Sequence, residues 1–405
     1  MDAYVAFDLR ANNDAGVSRY GLSVLGPCAH ELKKENWRLC VIARPAQKRR
    51  AEEAVGGLDI PVLCPPVDEG FVRHSPWLRE MLISERVDIY FTSHYIVDRE
   101  CPVPFVFTVH DLIRLRMPQF SYTDTAFARC FGPGELDLIE AELRALPWPD
   151  EAKDADGLFN KYFLAINRYL AQRAAGIVTV SRPSADDIRS MLGVPEDKLA
   201  IVGCGVDQHV FTRCEEPHVK SVLTRYDVPG PYLMFVGQSS PHKRFLWLVE
   251  QLVTRRHHFP HGARLVAVGG HAESTNGVAE LLTKHRAEDF VVYTGRVSDR
   301  DLAALYSGAS ALVVASISEG SNLPALEALT CGCPVIATDI PPLHDVLGAC
   351  VSYYSPAAGE EMTRLAAEAL AGRLRNGANA FQPPSWTESG RQLASILSAA
   401  VGTLS

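Results

Sequence analysis

Short, continuously apolar runs alternate with helix-like stretches along the whole chain, and this alternation narrows the fold more than any other feature. The runs fall at residues 4–7, 39–42, 87–91, 105–109, 176–180 and 199–202. After Asp207-Gln208-His209 the pattern restarts at 232–236, 265–268, 290–293, 311–315 and 334–337. Strands that are apolar along their full length are covered on both faces, and strands separated by helices pair in parallel. The expected class is therefore α/β, with a Rossmann-like parallel sheet in each half. A chain of 405 residues is also too long for one ordinary core. The polar stretch Cys214-Glu215-Glu216-Pro217 puts the expected boundary near residue 212, dividing the chain into 1–212 and 213–384.

Composition excludes several classes. Hydrophobic residues make up 47% and charged residues 22%, the proportions of a globular protein rather than a disordered one. The net charge of −8 argues against a nucleic-acid partner, which needs a basic surface to neutralise phosphates. The basic clusters Lys33-Lys34 and Lys48-Arg49-Arg50 are expected to be solvated helix faces, which leaves peripheral contact with an anionic membrane open. The ten cysteines show no zinc-ligand spacing, so a reduced, cytoplasmic protein without a metal is expected, with Cys331 and Cys333 as packing residues. The N-terminus carries an early acid and only a short apolar stretch, unlike a secretory signal, and no run is long enough to span a bilayer.

Residues 309–339 carry the chemistry. A buried strand over 311–315 runs into the polar turn Glu319-Gly320-Ser321-Asn322 and then into a helix from Leu323. Pro324 suits a first helical position, and Asn322 suits the cap. Such a helix start offers free amides and a partial positive charge to an anion. Glu319 and Glu327 would remain to accept hydrogen bonds from hydroxyl groups. A nucleotide sugar supplies both kinds of group.

The block from Glu319 to Ala328, followed by Cys331-Gly332-Cys333-Pro334-Val335-Ile336, closely resembles the E-x7-E signature of retaining glycosyltransferases of family 4. The resemblance extends over nearly the whole chain and implies the GT-B architecture. In that plan an N-terminal acceptor domain and a C-terminal donor domain face a central cleft, and a C-terminal helix, here within 385–405 and heralded by Ser385-Trp386-Thr387-Glu388, crosses back to the first domain. The stretch from Met117 to about Lys161, including Phe131-Gly132-Pro133-Gly134 and residues 147–151, matches no motif and is a natural place for acceptor selection.

The same resemblance implies site residues. Gly237-Gln238-Ser239-Ser240-Pro241-His242-Lys243-Arg244 resembles the donor phosphate loop. Lys243 stands at the position of the diphosphate lysine, His242 replaces a basic residue, Gln238 replaces a common arginine, and Arg244 is expected to compensate. Glu327 is implied to bind the ribose and Glu319 the donor sugar. The amides of Gly320, Ser321, Asn322 and Leu323 are implied to hold phosphate and sugar oxygens. Asn322 keeps two readings, a helix cap or a sugar contact. Thr108-Val109-His110-Asp111-Leu112 resembles the histidine-bearing strand end, which implies His110 at the reacting sugar with Asp111 beside it. Asp14-Ala15-Gly16 resembles the first loop, where Gly16 allows close backbone approach, and Gly269-Gly270 resembles a donor-domain strand end. The reaction implied is retaining, metal-independent and without a cofactor, by front-face departure or double displacement. The donor is a nucleoside-diphosphate sugar, and a soluble glycoside or aminocyclitol is the preferred acceptor. A nucleotide-sugar epimerase or phosphorylase, or a silent binding protein, are the competing readings.

Overall fold

The computed structural model describes residues 3–10, 16–66, 75–121, 123–146, 157–228, 230–238, 240–269, 277–374 and 377–402. Asp14, Ala15, Ser239, Gly270 and the stretch 147–151, each named above, lie outside the described residues. The chain forms two compact units, Met1–Cys204 with Trp386–Ser405, and Gly205–Ser385. The boundary thus falls before residue 212, and for a physical reason. The polar stretch that reads as a linker is already packed into the second unit: the Phe211 ring lies 6.4 Å from that of Tyr306, and the Cys214 amide donates to Ser307 Oγ at 2.9 Å.

The N-terminal unit is built on a seven-stranded sheet of β1 (Tyr4–Asp8), β2 (Arg38–Ile42), β3 (Val62–Leu63), β4 (Ile89–Thr92), β5 (Phe105–Thr108), β6 (Gly176–Thr179) and β7 (Leu199–Ile201). The order is β3-β2-β1-β4-β5-β6-β7, with all pairs parallel. β1 is buried throughout, its terminal Asp8 included, and β2 along its last four, apolar residues. The stretch after His110 forms the helices Asp124–Phe131 and Pro133–Ala145 before Leu158–Arg173 returns to the sheet. The basic clusters are satisfied along their own helices by exposed pairs, Lys34–Glu31, Lys48–Glu52 and Arg49–Glu53.

The last helix, Trp386–Gly402, packs against Gly16–Lys34. Gly390 makes this approach attainable, because a Cβ there would lie 2.4 Å from the Pro27 Cβ and 2.6 Å from the Cys28 nitrogen. Gly390→Ala must push the helices apart, at a cost of about 1–3 kcal/mol. A lowered melting temperature of the intact chain is the expected result, read by thermal denaturation.

The C-terminal unit is built on β8 (Tyr232–Val236), β9 (Arg264–Val268), β10 (Val291–Gly295), β11 (Ala311–Val314), β12 (Val335–Thr338) and β13 (Ser352–Tyr354). The order is β10-β9-β8-β11-β12-β13, again all parallel. Strand order reverses between β8 and β11, and the crevice outside the carboxyl ends at such a switch point is where open α/β sheets bind ligands. The segments leaving these two strands are the Gly237–Arg244 loop and the Glu319 turn. Among the described residues no helix is long and apolar enough to cross a membrane.

Candidate functional site

In the C-terminal unit the Glu319 turn folds as its sequence dictates. The helix Leu323–Thr330 carries Pro324 in its first turn, and the Asn322 Oδ1 caps it by accepting from the Ala325 amide at 3.0 Å. Asn322 itself has φ of 91°, a left-handed conformation that asparagine tolerates better than most residues. Its Nδ2 donates to Glu319 Oε1 at 3.0 Å, so the side chain braces the turn as well as capping the helix.

Glu319 Oε1 is the convergence point. It also accepts from Ser316 Oγ at 2.6 Å and from Lys243 Nζ at 3.1 Å, while Oε2 receives no hydrogen bond among the described residues. Burial pushes the carboxyl pKa up, but the Lys243 ammonium, the Ser316 hydroxyl and the nearby His242 outweigh it, and the net shift is downward. Glu319 is therefore an anion at neutral pH. Lys243 reaches it by lying against Gly237, where a Cβ would meet the lysine Cδ at 3.4 Å. The His242 carbonyl accepts the Ile317 amide at 3.0 Å, which joins the phosphate loop to the Glu319 turn.

Among the described residues the amides of Gly320, Ser321, Asn322 and Leu323 donate no hydrogen bond, and the buried Ser321 Oγ has no partner. An unpaired buried hydroxyl costs about 1–3 kcal/mol, a penalty that a ligand at this turn would remove. Glu327 sits deeper, 3% exposed, with the Tyr306 hydroxyl donating to its Oε2 at 3.4 Å. Cys331 and Cys333 are buried free thiols.

Arg244, expected to supplement Lys243, is turned elsewhere. Its Nη1 donates to the Pro356 carbonyl at 2.7 Å and its guanidinium stacks over the Trp247 ring at 3.6 Å. Among the described residues it makes no hydrogen bond or ion pair with Glu319.

In the N-terminal unit, His110 lies two residues past the end of β5. Its Nε2 lies 2.9 Å from the Ser93 carbonyl oxygen, which can only accept, so the proton is on Nε2 and Nδ1 keeps its lone pair. Burial pulls the pKa from 6.5 down to about 4, opposed only in part by the Ser93 carbonyl. The imidazole is neutral at pH 7 and serves as a hydrogen-bond acceptor at Nδ1. The sign of the stability effect follows. As pH falls from 6.5 towards 4 the unfolded chain takes up a proton that the folded one refuses, so stability present above 6.5 is lost. His110→Gln should remove an acid-induced loss on the order of 3 kcal/mol over that window, read by denaturant titrations at stepped pH.

Asp111, expected beside the reacting sugar, has its Oδ1 accepting the Ile113 amide at 3.1 Å at the start of the short helix Ile113–Arg116. A Cβ at Gly16 would meet nothing within 4 Å, so no described atom of the chain demands glycine there.

Sequence reasoning missed Ser316, Ser93, Tyr306 and a buried ionic cluster at the end of β1. There Asp8 accepts from Arg10 Nη2 at 2.9 Å and from the Tyr90 hydroxyl at 2.6 Å, with Arg10 only 1% exposed. The one local signal for it was an acid and a base two apart at a strand end.

Free amides at a helix start, a lysine and two carboxylates at the switch point of one parallel sheet, joined in one chain to a second parallel α/β unit, are the parts of a GT-B glycosyltransferase. Residues 28–210 match the family model described as Glycosyltransferase Family 4, and residues 230–371 match that of Glycosyl transferases group 1. The chain belongs to the glycosyltransferases of family 4.

It is 27% identical over 195 residues to the O-antigen chain mannosyltransferase RfbU of Salmonella typhimurium, covering 48% of this chain and 51% of that protein. It is 31% identical over 223 residues to a D-inositol 3-phosphate glycosyltransferase of Xylanimonas cellulosilytica, covering 50% and 52%. The match thus spans about half the length of these curated relatives. In fold it is similar to HepE of Anabaena, solved in complex with UDP and glucose, with a TM-score of 0.68 at 14% identity over 98% of this chain and 100% of that one.

Proposed function

We propose that the protein is a retaining glycosyltransferase that moves a sugar from a nucleoside-diphosphate sugar to an acceptor hydroxyl without a metal. The observation that carries this reading is the turn of residues 320–323, whose undonated amides stand beside Lys243 and Glu319. As the glycosidic bond breaks, negative charge grows on the leaving diphosphate, and fixed donors aimed at it lower the barrier. Lys243 and the four amides take this role. Glu327 accepts from the ribose hydroxyls, while Glu319 Oε2 and Ser321 Oγ address the sugar. His110, neutral and with Nδ1 as acceptor, receives a hydroxyl of a reacting sugar and orients it.

Mannose is the first sugar to test, because a mannosyltransferase stands among the relatives. The relative named for D-inositol 3-phosphate supports a cyclitol or small glycoside as acceptor. The test is incubation with UDP-, GDP-, ADP- and dTDP-sugars and an acceptor set, with and without EDTA, followed by NMR of the products. The expected result is released nucleoside diphosphate and a glycoside with the donor's anomeric configuration, unaffected by EDTA. An inverted product, an isomerised donor or abolition by EDTA would contradict the reading.

His110→Ala should lower kcat by about 100-fold, the usual worth of a well-placed group at the reacting centre, with nucleotide affinity within about twofold. Steady-state kinetics beside nucleotide titrations check it.

A further inference from the structure

We infer that Tyr20 and Trp386 are positioning residues for His110, fixing the plane of its imidazole; this rests on the reading of His110 as a sugar-contacting group. Tyr20 lies on the helix Gly16–Lys34, 1% exposed, and meets the imidazole edge-on, with ring centroids 5.0 Å apart and planes at 90°. On its other side the Trp386 ring stands 5.8 Å away at 72°. The phenol hydroxyl donates to the Val202 carbonyl at 3.3 Å. The tyrosine is thus fixed at its hydroxyl and by ring contacts with its two aromatic neighbours.

The imidazole needs such a support. A single hydrogen bond from Nε2 to Ser93 leaves the ring free to turn about the line from Cβ to Nε2. Turning about that line swings Nδ1 and changes where its lone pair points. The perpendicular Tyr20 ring blocks that rotation, and edge-to-face pairs of this kind add about 0.5–1.5 kcal/mol beyond burial.

Trp386 in turn has little freedom. It is the first residue of the segment that returns to the N-terminal unit, held by Ser389 Oγ donating to the Gly203 carbonyl at 2.7 Å and by the close approach at Gly390. The sugar-contacting histidine is therefore oriented by two segments far from it in sequence. The Tyr20 phenol is a titratable group in contact with the imidazole, and Asp111, next in the chain, has its Oδ1 on the Ile113 amide.

The test compares Tyr20→Leu, Tyr20→Phe, Trp386→Leu and Trp386→Phe by two readouts. The first is the His110 imidazole titration in histidine-labelled full-length protein, followed by NMR and assigned with His110→Gln. The second is kcat and donor KM. In Tyr20→Leu water reaches the ring and its plane is released. Its pKa should rise by about one unit or more from about 4. kcat should fall about tenfold with donor KM within about twofold. Trp386→Leu should move both in the same direction by less, and it carries the test if Tyr20→Leu does not fold. Both phenylalanine variants keep a ring in place and should restore most of the wild-type behaviour.

An unmoved titration in the leucine variants overturns the inference, whether kcat is unchanged or falls together with donor affinity. If the wild type transfers no sugar, the proposed function fails while the titration alone still decides whether these rings position the imidazole.

Discussion

Replacing Lys243 by alanine is expected to lower kcat/KM for the nucleotide-sugar donor by about 100- to 1,000-fold, the usual cost of removing one fixed donor from a developing negative charge. The same change should destabilise the fold. The Lys243 and Glu319 side chains are 19% and 9% exposed and 3.1 Å apart, so deleting the lysine leaves a largely buried carboxylate without its cation. Breaking such a pair costs about 3 kcal/mol or more. The two effects are separable. Lys243→Met keeps an aliphatic stem against Gly237 and removes only the charge, so it should lose as much activity as alanine. Adding Glu319→Gln removes the unpaired carboxylate and should recover stability without recovering turnover. Denaturant titrations and steady-state kinetics on the three proteins provide the check, and full activity in folded Lys243→Met would remove the lysine from the phosphate site.

Glu327→Ala should weaken nucleoside-diphosphate binding by roughly 10- to 100-fold, because a hydrogen bond to a charged acceptor is worth about 1.5–3 kcal/mol. The carboxylate is 3% exposed within the helix Leu323–Thr330, whose cap at Asn322 is untouched by the change, so the helix start should persist. Glu327→Gln keeps the shape and a neutral acceptor and should lose less. Tyr306→Phe removes only the hydroxyl that donates to Glu327 Oε2. If Tyr306→Phe weakened binding as much as Glu327→Ala, the carboxylate would be acting through the tyrosine rather than on the ribose.

The parts of this account that depend on neighbouring residues were readable from the sequence. The Asn322 cap, Pro324 in the first turn and the strand from Ala311 follow from local rules, and they stand where those rules put them. Two edge strands escaped: β3 is two half-buried residues and β13 is mostly half-buried, so neither shows the continuous apolar run by which the edge strands β7 and β10 were read. The unit boundary was misplaced because a polar composition says nothing of packing already made, as at Phe211 and Cys214.

Contacts set by topology were not legible. Ser93 meets His110 across 17 residues and Tyr306 meets Glu327 across 21, and only strand order brings them together. The hydrogen bond from Arg244 Nη1 to the carbonyl of Pro356, 112 residues away, is another contact that only topology sets.

The most direct test of the central claim, that the Glu319–Glu327 turn holds a nucleoside diphosphate, is calorimetric titration of UDP, GDP, ADP and dTDP into wild-type protein and Glu327→Ala. The account predicts that one of these binds the wild type with a dissociation constant of about 1–100 μM, in the usual range for enzyme substrates, and binds Glu327→Ala at least about tenfold more weakly. Binding of none of the four, or equal affinity for wild type and a folded Glu327→Ala, would contradict it.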